Sequence, residues 1–161
     1  MPLLIAEAPA APALPPHLQM LAARGYRRVP LRWLPSGHLV LAGTVNGQPV
    51  ALLLDSGAAN TAADREWALA AGFKLRPLAI KGAGAGSAAL DLAVIEGAAL
   101  AVGGIRLTGI ALLAIDLREV RSALRQRGAE PPQLVLGSDV LQAFGAVIDY
   151  PSASLWLAPG R

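Results

Sequence analysis

The sequence predicts an all-β fold, a barrel or folded-over sheet carrying two or three short helices. Short apolar runs recur along the chain, each cut off by glycine, proline or asparagine, as strands joined by tight turns require. Helical periodicity is confined to brief stretches. With 54% hydrophobic residues but only 4% aromatic ones, the core must be built from Leu, Val, Ile and Ala, which suits closely packed sheets. The 161 residues are enough for one domain with a real core.

Residues 1 to 23 carry Pro2, Pro9, Pro12, Pro15 and Pro16 among alanines, which favours a flexible Ala/Pro-rich tail or linker; the folded domain is expected over residues 24 to 161. From His38 to Leu54 the chain reads as two strands joined at Asn46-Gly47, a pair that supplies the positive φ angles of a two-residue hairpin turn. The stretch ADREWALAAGF then turns helical, with Asp64 placed as cap and Gly72 as stop. Strand-like runs follow at Phe73 to Ile80, Ala89 to Ile95, Ala98 to Val102 and Ile105 to Ile115. In Leu117 to Arg127 the apolar Leu117, Val120 and Leu124 share one helical face, the arginines take the other, and Gly128 terminates. Ala146 to Leu157, AVIDYPSASLWL, reads as a closing hairpin.

Composition excludes several kinds of chemistry. Without cysteine there is no disulfide, thiolate nucleophile or Cys-ligated metal. His17 and His38 are the only imidazoles, too few for the usual zinc site. The formal charge of +3 arises from 14 basic and 11 acidic residues. Eight of the basic residues fall into two groups, Arg24, Arg27, Arg28 and Arg32, and Arg118, Arg121, Arg125 and Arg127. Neither is interleaved with stacking aromatics, so both read as solvated faces and no nucleic-acid partner is expected. No uninterrupted apolar run reaches membrane-spanning length. The first residues lack the basic start of a signal peptide, so the chain as given reads as cytoplasmic, or as periplasmic or secreted if a leader has been removed upstream.

The residues that suggest chemistry lie at the end of the second strand of the Asn-Gly hairpin. In LLLDSGAANT, Leu52 to Thr61, an apolar run meant for a core ends on a carboxylate. A lone Asp-Ser-Gly is compatible with an ordinary turn. The wider order is more specific: the apolar run into Asp55-Ser56-Gly57-Ala58 with Thr61 after it, GAGAG at Gly82 to Gly86, VLGSDVL at Val135 to Leu141, then AVIDY and LWL. Over most of residues 37 to 157 this resembles the retropepsin-like aspartic peptidases, and in particular the bacterial single-domain members.

That resemblance implies a retropepsin-like acid-protease barrel, half of a pepsin, and an aspartic endopeptidase activity with no metal or cofactor. It implies Asp55 as the catalytic acid; Ser56, Gly57, Ala58 and Thr61 as support for the active-site loop; and Val135, Leu136 and Gly137 as a backbone element crossing behind that loop. Gly82, Ala83, Gly84, Ala85 and Gly86 fall where the family has its flap. Asp139 reads as the N-cap of a helix over Val140 to Phe144 and Asp149 as a turn residue. The chemistry needs two carboxylates sharing one proton, and the chain has no second copy of the Asp-Ser-Gly segment. A homodimer with one Asp55 per chain is therefore expected, acting on a peptide or protein, with Ser56 bonding across the axis. The alternatives are a noncatalytic retropepsin-like domain that binds peptides or dimerises, and an unrelated β-barrel binding module.

Overall fold

A computed structural model describes residues 12–83 and 89–159. In chain order the elements are α1 (Pro16–Ala23), β1 (Arg27–Pro30), β2 (Arg32–Trp33), β3 (Leu39–Val45), β4 (Gln48–Leu54), β5 (Ala62–Asp64), α2 (Arg65–Ala70), β6 (Leu75–Ala83) and β7 (Ala89–Ile95). They continue with β8 (Leu100–Val102), β9 (Ile105–Arg106), β10 (Leu113–Ile115), α3 (Arg118–Gln126), β11 (Leu134–Leu136), α4 (Ser138–Ala143), β12 (Val147–Asp149) and β13 (Ser154–Leu157). The fold is mostly β, as expected. No helix among the described residues is long and apolar enough to cross a membrane.

One large sheet has the order β6-β7-β10-β5-β11-β4-β3-β8-β9, with β2 added on β3; a second, small sheet has the order β1-β13-β12. Ile95 of β7 and Ile105 of β9, near opposite ends of the large sheet, belong to one core cluster with Leu52, Leu134 and Leu136, joined by Val29 and Leu155 of the small sheet. The large sheet therefore curls around that core. The β3-β4 hairpin turns at Asn46 and Gly47, whose φ angles of 49° and 81° are those the dipeptide was expected to supply. Strands β12 and β13 form the closing hairpin.

The central strands are covered on both faces. Leu52 faces the main core, whereas Leu53 joins Leu34, Val40, Leu117, Leu124, Ala129 and Val135 in a second cluster beneath α3. Alternation along β4 produces this division, since successive side chains point to opposite faces. An apolar run without polar interruption is what such a doubly covered strand needs.

The amino-terminal expectation requires correction. Residues 16 to 23, read as flexible tail, form α1, with Leu18 and Leu21 buried against Trp156. His17 Nε2 lies 2.9 Å from Asp149 Oδ1, fixing the helix to the closing hairpin. The folded domain thus begins upstream of residue 24. Val120 also departs from its predicted inward face: it is 38% exposed, while Leu117 and Leu124 are buried.

Candidate active site

Strand β4 carries the chain to Asp55, and β11 lies parallel beside it in the register Leu134 with Leu52, Val135 with Leu53 and Leu136 with Leu54. The Asp55 N–H donates to the Leu136 carbonyl at 3.1 Å, extending the ladder one step past the strand. Two bonds then close the turn. The Ala58 N–H donates to the Asp55 carbonyl at 3.2 Å, and the Gly57 N–H donates to Asp55 Oδ1 at 2.9 Å. A Cβ on Gly57 would stand 3.2 Å from that same Oδ1, so glycine allows the close approach of backbone to carboxylate. Asp55 and Ser56 are exposed.

After β11 the chain crosses behind this loop. The Ser138 N–H donates to the Ala58 carbonyl at 2.8 Å. A Cβ on Gly137 would lie 2.7 Å from the Asn60 carbonyl carbon and oxygen and 2.8 Å from the Ala58 oxygen; these are backbone atoms that cannot swing away. The close crossing thus requires glycine at this position, and Val135 and Leu136 hold it in place from the strand.

Thr61 joins the two segments. Its hydroxyl donates to Asp139 Oδ1 at 2.7 Å and accepts the Gly137 N–H at 3.0 Å, while its own N–H donates to Asp139 Oδ2 at 2.9 Å. Thr61 has no exposed surface, so these partners replace water for each polar atom. The reading of Asp139 as a helix cap is therefore corrected. Gly137 occupies the N-cap of α4 and makes no side-chain cap; Asp139 lies in the first turn, and its oxygens take Thr61 and the Val140 N–H, the latter at 2.8 Å. A tertiary clamp has displaced the local cap.

Asp64 behaves similarly. It occupies the N-cap position of α2 without making the cap bond. Its carboxylate, fully buried, instead forms an ion pair with Arg121 of α3 and accepts the Leu117 N–H at 3.4 Å. Arg121 is thus drawn out of the solvated basic face predicted for it. On the same helix Arg118 pairs with Asp116, and that guanidinium lowers the Asp116 carboxyl to about 2.

Strands β6 and β7 form a long hairpin whose register shifts between Pro77 and Lys81 and then resumes through Gly82 with Leu90 and Ala83 with Ala89. Gly82 and Ala83 close the described part of β6; Gly84, Ala85 and Gly86 lie outside the described residues. The outer part of the hairpin stands away from the core, with Ile80 at 66% exposure. Lys81 pairs with Asp91 across the strands and holds its carboxyl below the ordinary range.

Sequence reasoning missed an aromatic pair close to the loop. Trp33 and Tyr150 stack with ring centroids 6.0 Å apart, are 50% and 59% exposed, and border a groove of about 190 Å³ that also touches Leu54, Ser56 and Ile148. Nothing local predicts this contact, because the rings come from β2 and from the turn after β12.

Comparison with known proteins agrees with this architecture. The sequence profile of the aspartyl protease family matches residues 41–140, more than half of the chain and inclusive of the Asp55 loop and the Gly137 crossing. The chain belongs to that family. Its fold is retropepsin-like: it is similar to a retropepsin-like aspartic protease from Rickettsia conorii, with 19% identity, TM-score 0.54, and coverage of 82% of this chain and 90% of that one. It is also similar to the retroviral protease-like domain of Ddi1 from Leishmania major, with 19% identity, TM-score 0.50, and coverage of 73% and 86%. No curated protein matches it.

Proposed function

We propose that the protein is an aspartic endopeptidase whose active form is a homodimer with one Asp55 from each chain. The observation that carries this reading is the contrast between two carboxylates. Asp55 is exposed on a loop fixed by backbone bonds and, among the described residues, accepts only the Gly57 N–H, whereas the Asp139 oxygens are occupied by Thr61 and Val140. On this reading Asp55 reacts, Asp139 is structural, and the second reacting acid comes from a second copy.

In the dimer two like charges at hydrogen-bonding distance do not both ionise; one acid keeps its proton. The ionised carboxylate takes a proton from a water molecule as that water attacks the peptide carbonyl, and the protonated one donates a hydrogen bond to the carbonyl oxygen as negative charge develops there. Ser56 faces the partner loop across the axis. The exposed Trp33–Tyr150 pair and β12, which is an edge strand among the described residues and where Val147 is 37% exposed, supply apolar surface for the contact. The β6-β7 hairpin serves as the flap that covers an extended peptide and excludes water.

The test mixes wild-type chain with an excess of Asp55→Asn chain and follows cleavage of a peptide library alongside sedimentation. A dyad built across two chains loses activity in proportion to the wild-type homodimers removed. Activity per wild-type chain that stays constant in the mixture, or that persists where sedimentation finds only monomer, overturns the proposal.

A further inference from the structure

We propose that the face of α3 turned toward β4 is a specificity pocket. It takes an apolar side chain of an extended peptide and an acidic side chain two positions along, held by Arg127. This rests on the peptide-hydrolysis reading above and adds the class of substrate. A groove of about 270 Å³ runs between α3 and the sheet, lined by Leu53, Val120, Ala123, Leu124, His38 and Arg127. Four of these residues, Val120, Ala123, Leu124 and Arg127, recur at the i, i+3, i+4, i+7 spacing of a single helical stripe. This accounts for the exposed Val120, which belongs to the groove wall and not to the core.

The groove lies beside the Asp55 loop. Leu53 of β4 precedes Asp55 by two residues, and because the Asp55 N–H continues the ladder one step past the strand, the alternation of side chains carries both toward the same face. Ala58 of the loop packs against the cluster that contains Leu53 and Leu124, and His38 borders both this groove and the one that touches Ser56. A peptide lying extended past Asp55 would present alternate side chains to one side, about 7 Å apart, so one residue can fill the aliphatic part while the next on that side reaches the end of the helix.

Charge selects the second residue. Among the described residues no carboxylate lines the groove and Arg127 has no acidic partner within ion-pair distance, whereas Arg118 and Arg121 are paired with Asp116 and Asp64. A guanidinium without an internal partner beside an apolar slot favours a carboxylate of the ligand, through paired N–H donors matched to its two oxygens.

The experiment profiles cleavage of a peptide library by the dimer and, in parallel, measures fluorescence anisotropy of labelled peptides on Asp55→Asn. Wild type is expected to favour Leu, Met or Phe at one position and Glu or Asp two positions away. Arg127→Glu should lower the Glu-over-Lys ratio of kcat/KM, and of affinity, by about tenfold. Ala123→Trp, at an exposed site that tolerates the larger ring, should lower the Leu-over-Ala ratio by about tenfold by filling the slot; a thermal melt checks that each variant is folded. Unchanged ratios in folded variants overturn the pocket. Binding to Asp55→Asn with the stated preference but no cleavage by wild type supports the pocket and overturns the hydrolytic reading. Cleavage without that preference does the reverse, and neither binding nor cleavage overturns both.

Discussion

Thr61→Val tests whether the clamp between the Asp55 loop and α4 holds the site together. Valine keeps the branched shape and removes one oxygen. Two bonds disappear with it, the charge-assisted one to Asp139 Oδ1 and the one from the Gly137 N–H. A hydrogen bond to a charged group contributes about 1.5–3 kcal/mol, and a buried N–H left without a partner costs about 1–3 kcal/mol. Asp139 keeps the Thr61 and Val140 N–H groups, so the lower part of the combined range applies, about 3 kcal/mol. Against a typical total of about 5–15 kcal/mol that is a large fraction, and it corresponds to a Tm about 6–12 °C lower for a chain of this size. Urea unfolding at two protein concentrations separates this loss from any change in dimerisation. Thr61→Ser keeps the hydroxyl and should recover most of the deficit. A loss below about 1 kcal/mol in Thr61→Val, or a serine variant as unstable as the valine one, would refute the clamp.

Two further outcomes follow from surface and charge. Trp33→Ala should weaken the proposed dimer: covering a half-exposed ring contributes about 1–2 kcal/mol and a two-fold axis counts it twice, so Kd rises about 30- to 700-fold; an unchanged Kd in sedimentation removes this ring from the interface. Asp149 is lowered to about 2 by the Ser152 hydroxyl, by His17 and by the Ser152 N–H. Because its folded value lies below the ordinary one, its contribution to stability is complete above about pH 4 and disappears as pH falls toward about 2. The difference in urea midpoint between wild type and Asp149→Asn should therefore shrink across that window; a difference constant from pH 6 to pH 2 contradicts the assignment.

What was legible in the sequence was mainly local. The Asn46-Gly47 turn needs no distant partner, and the glycine stops after α2 and α3 both have positive φ, 84° at Gly72 and 73° at Gly128. The crossing of Gly137 behind the Asp55 loop was expected from the family resemblance, and Gly57 and Gly137 stand where the chain approaches other groups too closely for a Cβ to fit without a shift. The errors came where a side chain had a better distant partner than its local one. Asp64 and Asp139 sit in or beside cap positions, yet their carboxylates reach Arg121, 57 residues away, and Thr61, 78 residues away. Helix α1 was hidden by its prolines, although Pro16 occupies the first turn, where a missing N–H removes no helical bond. Its burial depends on Trp156 at the other end of the chain.

The division of labour around Asp55 bears on how the chemistry is read. The loop is held by the bonds from Asp55 N–H to Leu136 and from Ser138 N–H to Ala58, and by Thr61 with Asp139. Among the described residues the Asp55 carboxylate itself contributes one bond, from Gly57. An asparagine oxygen can accept that same N–H, so Asp55→Asn removes the acid and leaves the framework standing. Loss of turnover in that variant then reports on proton transfer. In Thr61→Val the carboxylate is present but its support is weakened, so turnover should fall together with stability and recover with serine. A protein in which the two variants behaved alike, both unstable or both folded and inactive, would have its reacting group and its scaffold in the same residues, and the separate roles of Asp55 and Asp139 would have to be abandoned.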